Sequence, residues 1–260
     1  MGFWKNVGTG FRGYGRSFEF IFNKGLWVYF FYPLAIMLLL FLGGYALIHH
    51  LSDEVEKWMM NVTGLGGDAE GFFSFLKGVL SFFVTIAVNI IFWFVFSTFS
   101  KYITLILLSP LLALLSEKTE RLLTGKKYPF NADQFVRDVW RGILIALRNM
   151  LIEFAIIIGS FILIFIPVIG FFVPVFLFFV SAYFYGFSMM DYTSERRRLN
   201  ISQSVAFIRG HKGTAITNGS IYLILLWIPF AGIIFAPVFA AVAATLSVQE
   251  LVENKNSYNG

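Results

Sequence analysis

The chain contains no cysteine. That absence removes disulfide frameworks, thiolate metal sites and cysteine nucleophiles, and it leaves the redox compartment open. Charge is nearly as scarce. Only 13% of the 260 residues are Asp, Glu, Lys or Arg, against roughly 25% in a soluble domain whose surface must be wet. Too little polar material remains to cover a globule in water, so a soluble fold is excluded. Catalytic motifs are missing as well. There is no HExxH, no GxSxG, no P-loop and no carboxylate pair with supporting residues. The sequence thus gives no ground for an enzyme, an ATP-driven pump or a bound cofactor. Histidine is limited to His49, His50 and His211. His49, His50 and Asp53 close an apolar run, and they read as residues marking where a span leaves the membrane rather than as metal ligands.

What is present is apolar and aromatic. Hydrophobic residues make up 58% of the chain and aromatic ones 19%, with 33 Phe; the mean hydropathy is +0.75. A bilayer is the solvent that tolerates such a surface. The expected fold class is therefore all-α integral membrane, with the lipid bilayer as an obligatory partner. The net charge of +5 fits basic residues gathered in cytoplasmic loops, without any need for nucleic acid.

A single membrane domain is expected over 1–260. Residues 1–26 alternate basic residues with Phe3, Trp4, Val7, Phe11, Phe18, Ile21 and Phe22 at spacings of three and four, as in a helix lying in the headgroup plane. Gly8, Gly10, Gly13 and Gly15 weaken a continuous helix there. The apolar run 27–48 is too long for a signal-peptide core and reads as a retained first span. A polar loop 49–71 should follow. The stretch 79–115 reads as a second long helix, kinked by Pro110, and 116–142 as a charged loop. Lys and Arg dominate before the first span and after the second, while the intervening loop is acidic. The positive-inside rule then places the N-terminus in the cytoplasm.

Two stretches, 143–190 and 213–249, break at similar sequences. These are Ile166-Pro167-Val168-Ile169-Gly170 with Pro174, and Ile228-Pro229-Phe230-Ala231-Gly232 with Pro237. Proline and glycine mark a turn between helical arms, yet neither turn carries a charge. The arm 214–228 spans about 22 Å, short of the roughly 30 Å hydrocarbon core. A basic loop, 191–212, precedes it. These features predict a hairpin that dips into the membrane and returns; for 143–190 two full spans joined by a buried turn are equally compatible. Backbone broken at membrane depth is tolerated where it lines a cavity. Helix N-termini after Gly170 and Gly232 would favour an anion there. Asn89 and Glu153 are polar residues within apolar stretches, where a polar group is costly and is either functional or held by a partner.

Ordered pieces along the chain resemble the CysZ-type sulfate permeases of bacteria, which share a membrane domain with the etoposide-induced proteins of eukaryotes. They are Gly25-Leu26, Phe96-Ser97-Thr98, Ser109-Pro110, Leu122-Leu123-Thr124-Gly125, Ile166-Pro167-x-Ile169-Gly170, Asp191-Tyr192 and Ile228-Pro229 with Pro237. The resemblance implies an inner (plasma) membrane protein with two long spans and two partly penetrating hairpins. It further implies assembly into homo-oligomers and uptake of sulfate for assimilation. By the same likeness Lys24, Gly25 and Leu26 form an anion site, and Pro167, Gly170, Pro229 and Gly232 form the turns lining the path. One departure is marked. Where the family carries arginines after Gly-Leu, this chain has Trp27 and Val28, so a forked donor for a tetrahedral oxyanion is missing. Asp191-Tyr192 is also followed by Thr193 where the family has proline. A scaffold or lipid-interacting protein that keeps the fold without the anion site is the alternative.

Overall fold

The computed structural model describes residues 2–63, 72–125, 132–164, 166, 168–196 and 199–259. The described residues form eight α-helices and one 3₁₀ turn, without a strand. They fall into two units, one made of Met1–Ala35 with Leu105–Gly260 and the other of Ile36–Thr104.

Helix α1, Phe3–Asn23, opens the first unit. Its glycines do not interrupt it, because they are where neighbours touch. A methyl group on Gly10 would stand 2.8 Å from Thr217 Cβ, and one on Gly13 would stand 2.7 Å from the Ala243 carbonyl oxygen. The small polar face of α1 (Asn6, Thr9, Gly10, Gly13, Ser17) is therefore the buried one, while Trp4 and Phe11 are exposed. Hydroxyls stitch this seam. Thr214 Oγ1 donates to the Asn6 carbonyl at 2.9 Å, and Tyr14 Oη donates to the Asn218 carbonyl at 3.1 Å. Burial and the neighbouring Tyr222 hold the Tyr14 phenol well above its ordinary pKa.

After Gly25 comes the 3₁₀ turn Leu26–Phe30, leading into α2, Phe31–Thr63. Helix α3 runs from Phe72 to Thr124 and passes through Pro110 without ending. Proline has no N–H for the Ile106 carbonyl, four residues back. Ser109 Oγ supplies that donor instead, at 2.8 Å. Helices α4, Ala132–Ile164, and α5, Ile169–Arg196, form the first hairpin. The short α6, Ile201–Gly210, starts on a reciprocal Asn200–Gln203 capping box. Helices α7, Lys212–Leu226, and α8, Ala231–Asn259, form the second hairpin.

Helices α5 and α7 cross on matched Ala-x-x-x-Gly steps. Ala182 and Gly186 on α5 face Gly219 and Ala215 on α7. A methyl group at Gly219 would stand 1.7 Å from the Ala182 carbonyl oxygen, and one at Gly186 would stand 1.8 Å from that of Ala215. Such small-residue steps let backbones approach where lipid supplies no hydrophobic drive. Around this crossing, residues 184–194 of α5 and 240–248 of α8 are buried without interruption.

Three predicted loops, 49–71, 116–142 and 191–212, are largely helical over their described residues; 64–71, 126–131 and 197–198 lie outside these. Residues 49–63 continue α2, and 116–124 and 132–142 belong to α3 and α4. Within 191–212, the described residues extend α5 and form α6. Glu, Lys, Arg and Gln are good helix formers, and neither proline nor a glycine break occurs in 49–63. Gly125, at φ 72°, is where α3 stops.

Four helices are long and apolar enough to cross a membrane: Leu26–Trp58, Phe135–Ser160, Ile169–Ser194 and Ala231–Asn254. Helix α7, with 15 residues, reaches only about 22 Å. It is the exception among the hairpin arms.

In the second unit, Thr85 Oγ1 on α3 donates to Glu56 on α2 at 2.7 Å, and Ile48 and Val88 are buried. Among the described residues no group of three His, Cys, Asp or Glu is placed to hold a metal ion. His49 meets the Tyr45 ring edge-on, with ring centroids 4.3 Å apart.

Candidate functional site

The two Pro-Gly turns are built alike. In the first, Val168 takes φ 69° and the Gly170 N–H bonds the Ile166 carbonyl at 2.8 Å. In the second, Phe230 takes φ 59° and the Gly232 N–H bonds the Ile228 carbonyl at 2.8 Å. Neither Val nor Phe adopts the left-handed region readily, at a cost of roughly 1–2 kcal/mol each. Pro167 lies outside the described residues. Gly232 has its own reason to be glycine, since a methyl group there would stand 2.2 Å from the Leu225 carbonyl oxygen. Both apices are bare and apolar. Val168 is 77% exposed and Phe230 71%, with Phe171 and Trp227 equally open. A greasy apex of this kind suits hydrocarbon, not water.

Behind the turns, polar groups are paired between helices. Asn149 and Glu153, one turn apart on α4, are both buried. Asn149 Nδ2 donates to Ser188 Oγ at 3.1 Å, and Ser181 Oγ donates to Glu153 at 2.5 Å. Glu153 thus turns inward to α5, while Arg148 reaches Asn149 and the Phe187 ring. A second tie joins α4, α5 and α6. Arg141 forks onto Asp191 at 3.0 and 3.2 Å, Ser204 donates to the same carboxylate, and Arg141 also meets the Leu199 carbonyl. A third tie is a fully buried trio of hydroxyls. Ser116 lies 2.8 Å from Thr245 and 3.3 Å from Thr193, and the two threonines are 3.3 Å apart. Asn89 folds back on its own helix, with Nδ2 donating to the Thr85 carbonyl at 2.9 Å.

The Lys24-Gly25-Leu26 segment sits where α1 turns into the 3₁₀ helix. Gly25 takes φ 69° and has open space around it, so the backbone requires glycine there and packing does not. Phe30 packs on Phe235 of α8 at 4.7 Å, which fixes the turn against the second hairpin. The Leu26 side chain is fully buried. Trp27 and Val28 are each 49% exposed. Charge reaches this region from α3. Lys118 Nζ stands 5.3 Å from the Tyr29 ring centroid, and Arg121 and Glu117 lie close enough to act on the same phenol.

Among these groups, Asn89, Glu153 and the turn glycines stand out in the sequence by position. Arg141–Asp191, the hydroxyl trio, Lys118 and Arg121 do not. Their only sequence signals are the Asp191-Tyr192-Thr193 string and a cluster of charges that reads as loop.

A family model described as Sulfate transporter CysZ/Etoposide-induced protein 2.4 matches residues 14–237. The match begins at Tyr14 in α1, takes in both turns and ends at Pro237 in α8. Four apolar helices of spanning length accord with a multi-pass membrane protein. The chain belongs to the CysZ/etoposide-induced protein family, and that membership supports a transporter-like role in a membrane.

Proposed function

We propose that this chain is a permease through which a small anion, sulfate first among the candidates, crosses a cell's inner (plasma) membrane. The observation that carries the reading is the duplicated turn. Two helical hairpins end in the same proline, left-handed residue and glycine sequence, with the same hydrogen bond and an uncharged, exposed apex. Broken helices of this sort are how several transporter folds place backbone dipoles beside a substrate. The short α7, shielded on most sides by protein, fits a hairpin that dips and returns. The first hairpin has arms long enough to cross.

The missing arginines at positions 27 and 28 shift the burden of charge. In this reading Lys24, Lys118 and Arg121 supply the positive potential around the turn at Gly25, with Glu117 moderating it. They act as diffuse point charges rather than a guanidinium fork, so a tetrahedral dianion is held less selectively. A second reading rests on the same substitution. With Trp27 half-exposed where a forked donor would be, the fold serves as a membrane scaffold and passes no anion.

Uptake of labelled sulfate into liposomes containing the purified protein separates the two. Uptake above that of empty vesicles supports the permease, and uptake equal to them supports the scaffold. For the dipping hairpin, a cysteine placed at Ala231 should resist a membrane-impermeant thiol reagent added outside intact cells. Rapid labelling there would refute that placement.

A further inference from the structure

A groove of about 580 Å³ opens between α4, α5, the end of α6 and the start of α7. Its walls are apolar, from Ile156, Phe176, Phe179, Val180 and Ile216. At one end stand Tyr183, Arg209 and Lys212. Arg209 and Arg148 both lie close enough to the Tyr183 phenol to act on it. Two cations thus stand at one end of an apolar trough. Among the described residues neither of the two forms an ion pair with a carboxylate. The buried acid of α4, Glu153, accepts from Ser181, and that of α5, Asp191, is held by Arg141 and Ser204. The volume falls within the ~300–1,000 Å³ of small-molecule sites.

A purely apolar guest would leave the two charges uncompensated, and a free inorganic anion would leave the aromatic walls bare. An amphiphile with one anionic head and an acyl chain satisfies both ends, as basic pockets between membrane helices do for anionic headgroups. We propose that this groove binds a single anionic phospholipid of the bilayer. Its phosphate sits against Arg209, Lys212 and the Tyr183 hydroxyl, and one acyl chain lies along Phe176, Phe179 and Val180. The site is separate from the anion path proposed above, and either can fail without the other.

Native mass spectrometry of the full-length detergent-solubilised protein tests this, with phosphatidylglycerol and phosphatidylcholine titrated in parallel. One phosphatidylglycerol should be retained about 25-fold more tightly than phosphatidylcholine, taking about fivefold per cation for Arg209 and Lys212. The double variant Arg209→Ala, Lys212→Ala should reduce that preference to under about threefold. Val180→Trp, which keeps the cations and fills the trough, should also lose the tight lipid. Helix content by circular dichroism confirms that each variant is folded. Equal retention of the two lipids by the unaltered protein would overturn the proposal. So would undiminished phosphatidylglycerol binding in the double variant. Displacement of the lipid by millimolar inorganic phosphate would likewise overturn it, by showing that a free anion is the ligand.

Discussion

Replacing Gly219 with alanine tests the α5–α7 crossing, on which the first unit's core is built. The added methyl would lie 1.7 Å from the Ala182 carbonyl oxygen, whereas a relaxed carbon–oxygen contact is about 3.3 Å. The helices must separate by about 1.5 Å to accommodate it. Gaps of even half that size forfeit a quarter to a half of the dispersion energy between the lining atoms. An overlap this large falls at the upper end of the usual cost of overpacking, about 3 kcal/mol. Against that stands a gain of about 1 kcal/mol from the better helix propensity of alanine. The net prediction is a loss of about 2 kcal/mol, read from the midpoint of unfolding in mixed micelles followed by circular dichroism. Gly186→Ala should behave alike, because its methyl meets the Ala215 carbonyl at 1.8 Å. Once the helices have parted for one methyl, the second finds room. The double variant should therefore lose about 1 kcal/mol less than the sum of the singles. Gly159 on α4 has nothing within 4 Å of its added methyl, so Gly159→Ala is the control and should be neutral or stabilising. If Gly219→Ala proves as stable as Gly159→Ala, the close crossing is wrong.

Three further outcomes follow from other parts of the molecule. Val168→Gly and Phe230→Gly relieve left-handed strain and should each stabilise the fold by about 1 kcal/mol in the same unfolding assay; destabilisation would mean that the side chains contribute more than their strain. Arg141→Ala leaves the Asp191 carboxylate, itself 4% exposed, with Ser204 but no cation, and should cost about 3 kcal/mol; a loss under about 1 kcal/mol would show that water reaches the pair. Tyr14 is held neutral by burial, so its contribution is complete below its ordinary pKa of 10.0 and is lost as pH rises beyond it. Tyr14→Phe should therefore lose less stability than the unaltered protein on passing into alkaline solution, and parallel curves would contradict the assignment.

Composition alone made the membrane class legible, since 13% charged residues cannot wet a globule. The paired turns were legible because proline and glycine recur at the same spacing in both. Loop boundaries were not. Charged stretches such as 116–124 look like loops in a sequence this apolar, yet Glu, Lys and Arg extend helices readily beyond a bilayer. The glycines of α1 misled for a related reason. A glycine lowers helix propensity by about 1 kcal/mol, but the penalty is offset when its missing side chain admits Thr217 or the Ala243 carbonyl. The Ala-x-x-x-Gly steps of α5 and α7 were visible in the sequence, though not which helix each would meet. The same limit applies to Ser116, Thr193 and Thr245. Single hydroxyls 77 and 52 residues apart along the chain announce no common partner. Thr193 looks like a loss relative to the family's proline, but it gives α5 a hydroxyl at the centre of that trio.

The permease reading meets its most direct test in the initial rate of labelled sulfate uptake by proteoliposomes. The unaltered protein, the double variant Lys118→Gln, Arg121→Gln and empty vesicles are compared at equal lipid and equal reconstitution. Uptake by the unaltered protein should stand well above that of empty vesicles, and the double variant should show at least a fivefold lower protein-dependent rate, since each cation near the path contributes about fivefold. Uptake by the unaltered protein no faster than by empty vesicles would contradict the claim that an anion crosses through this chain.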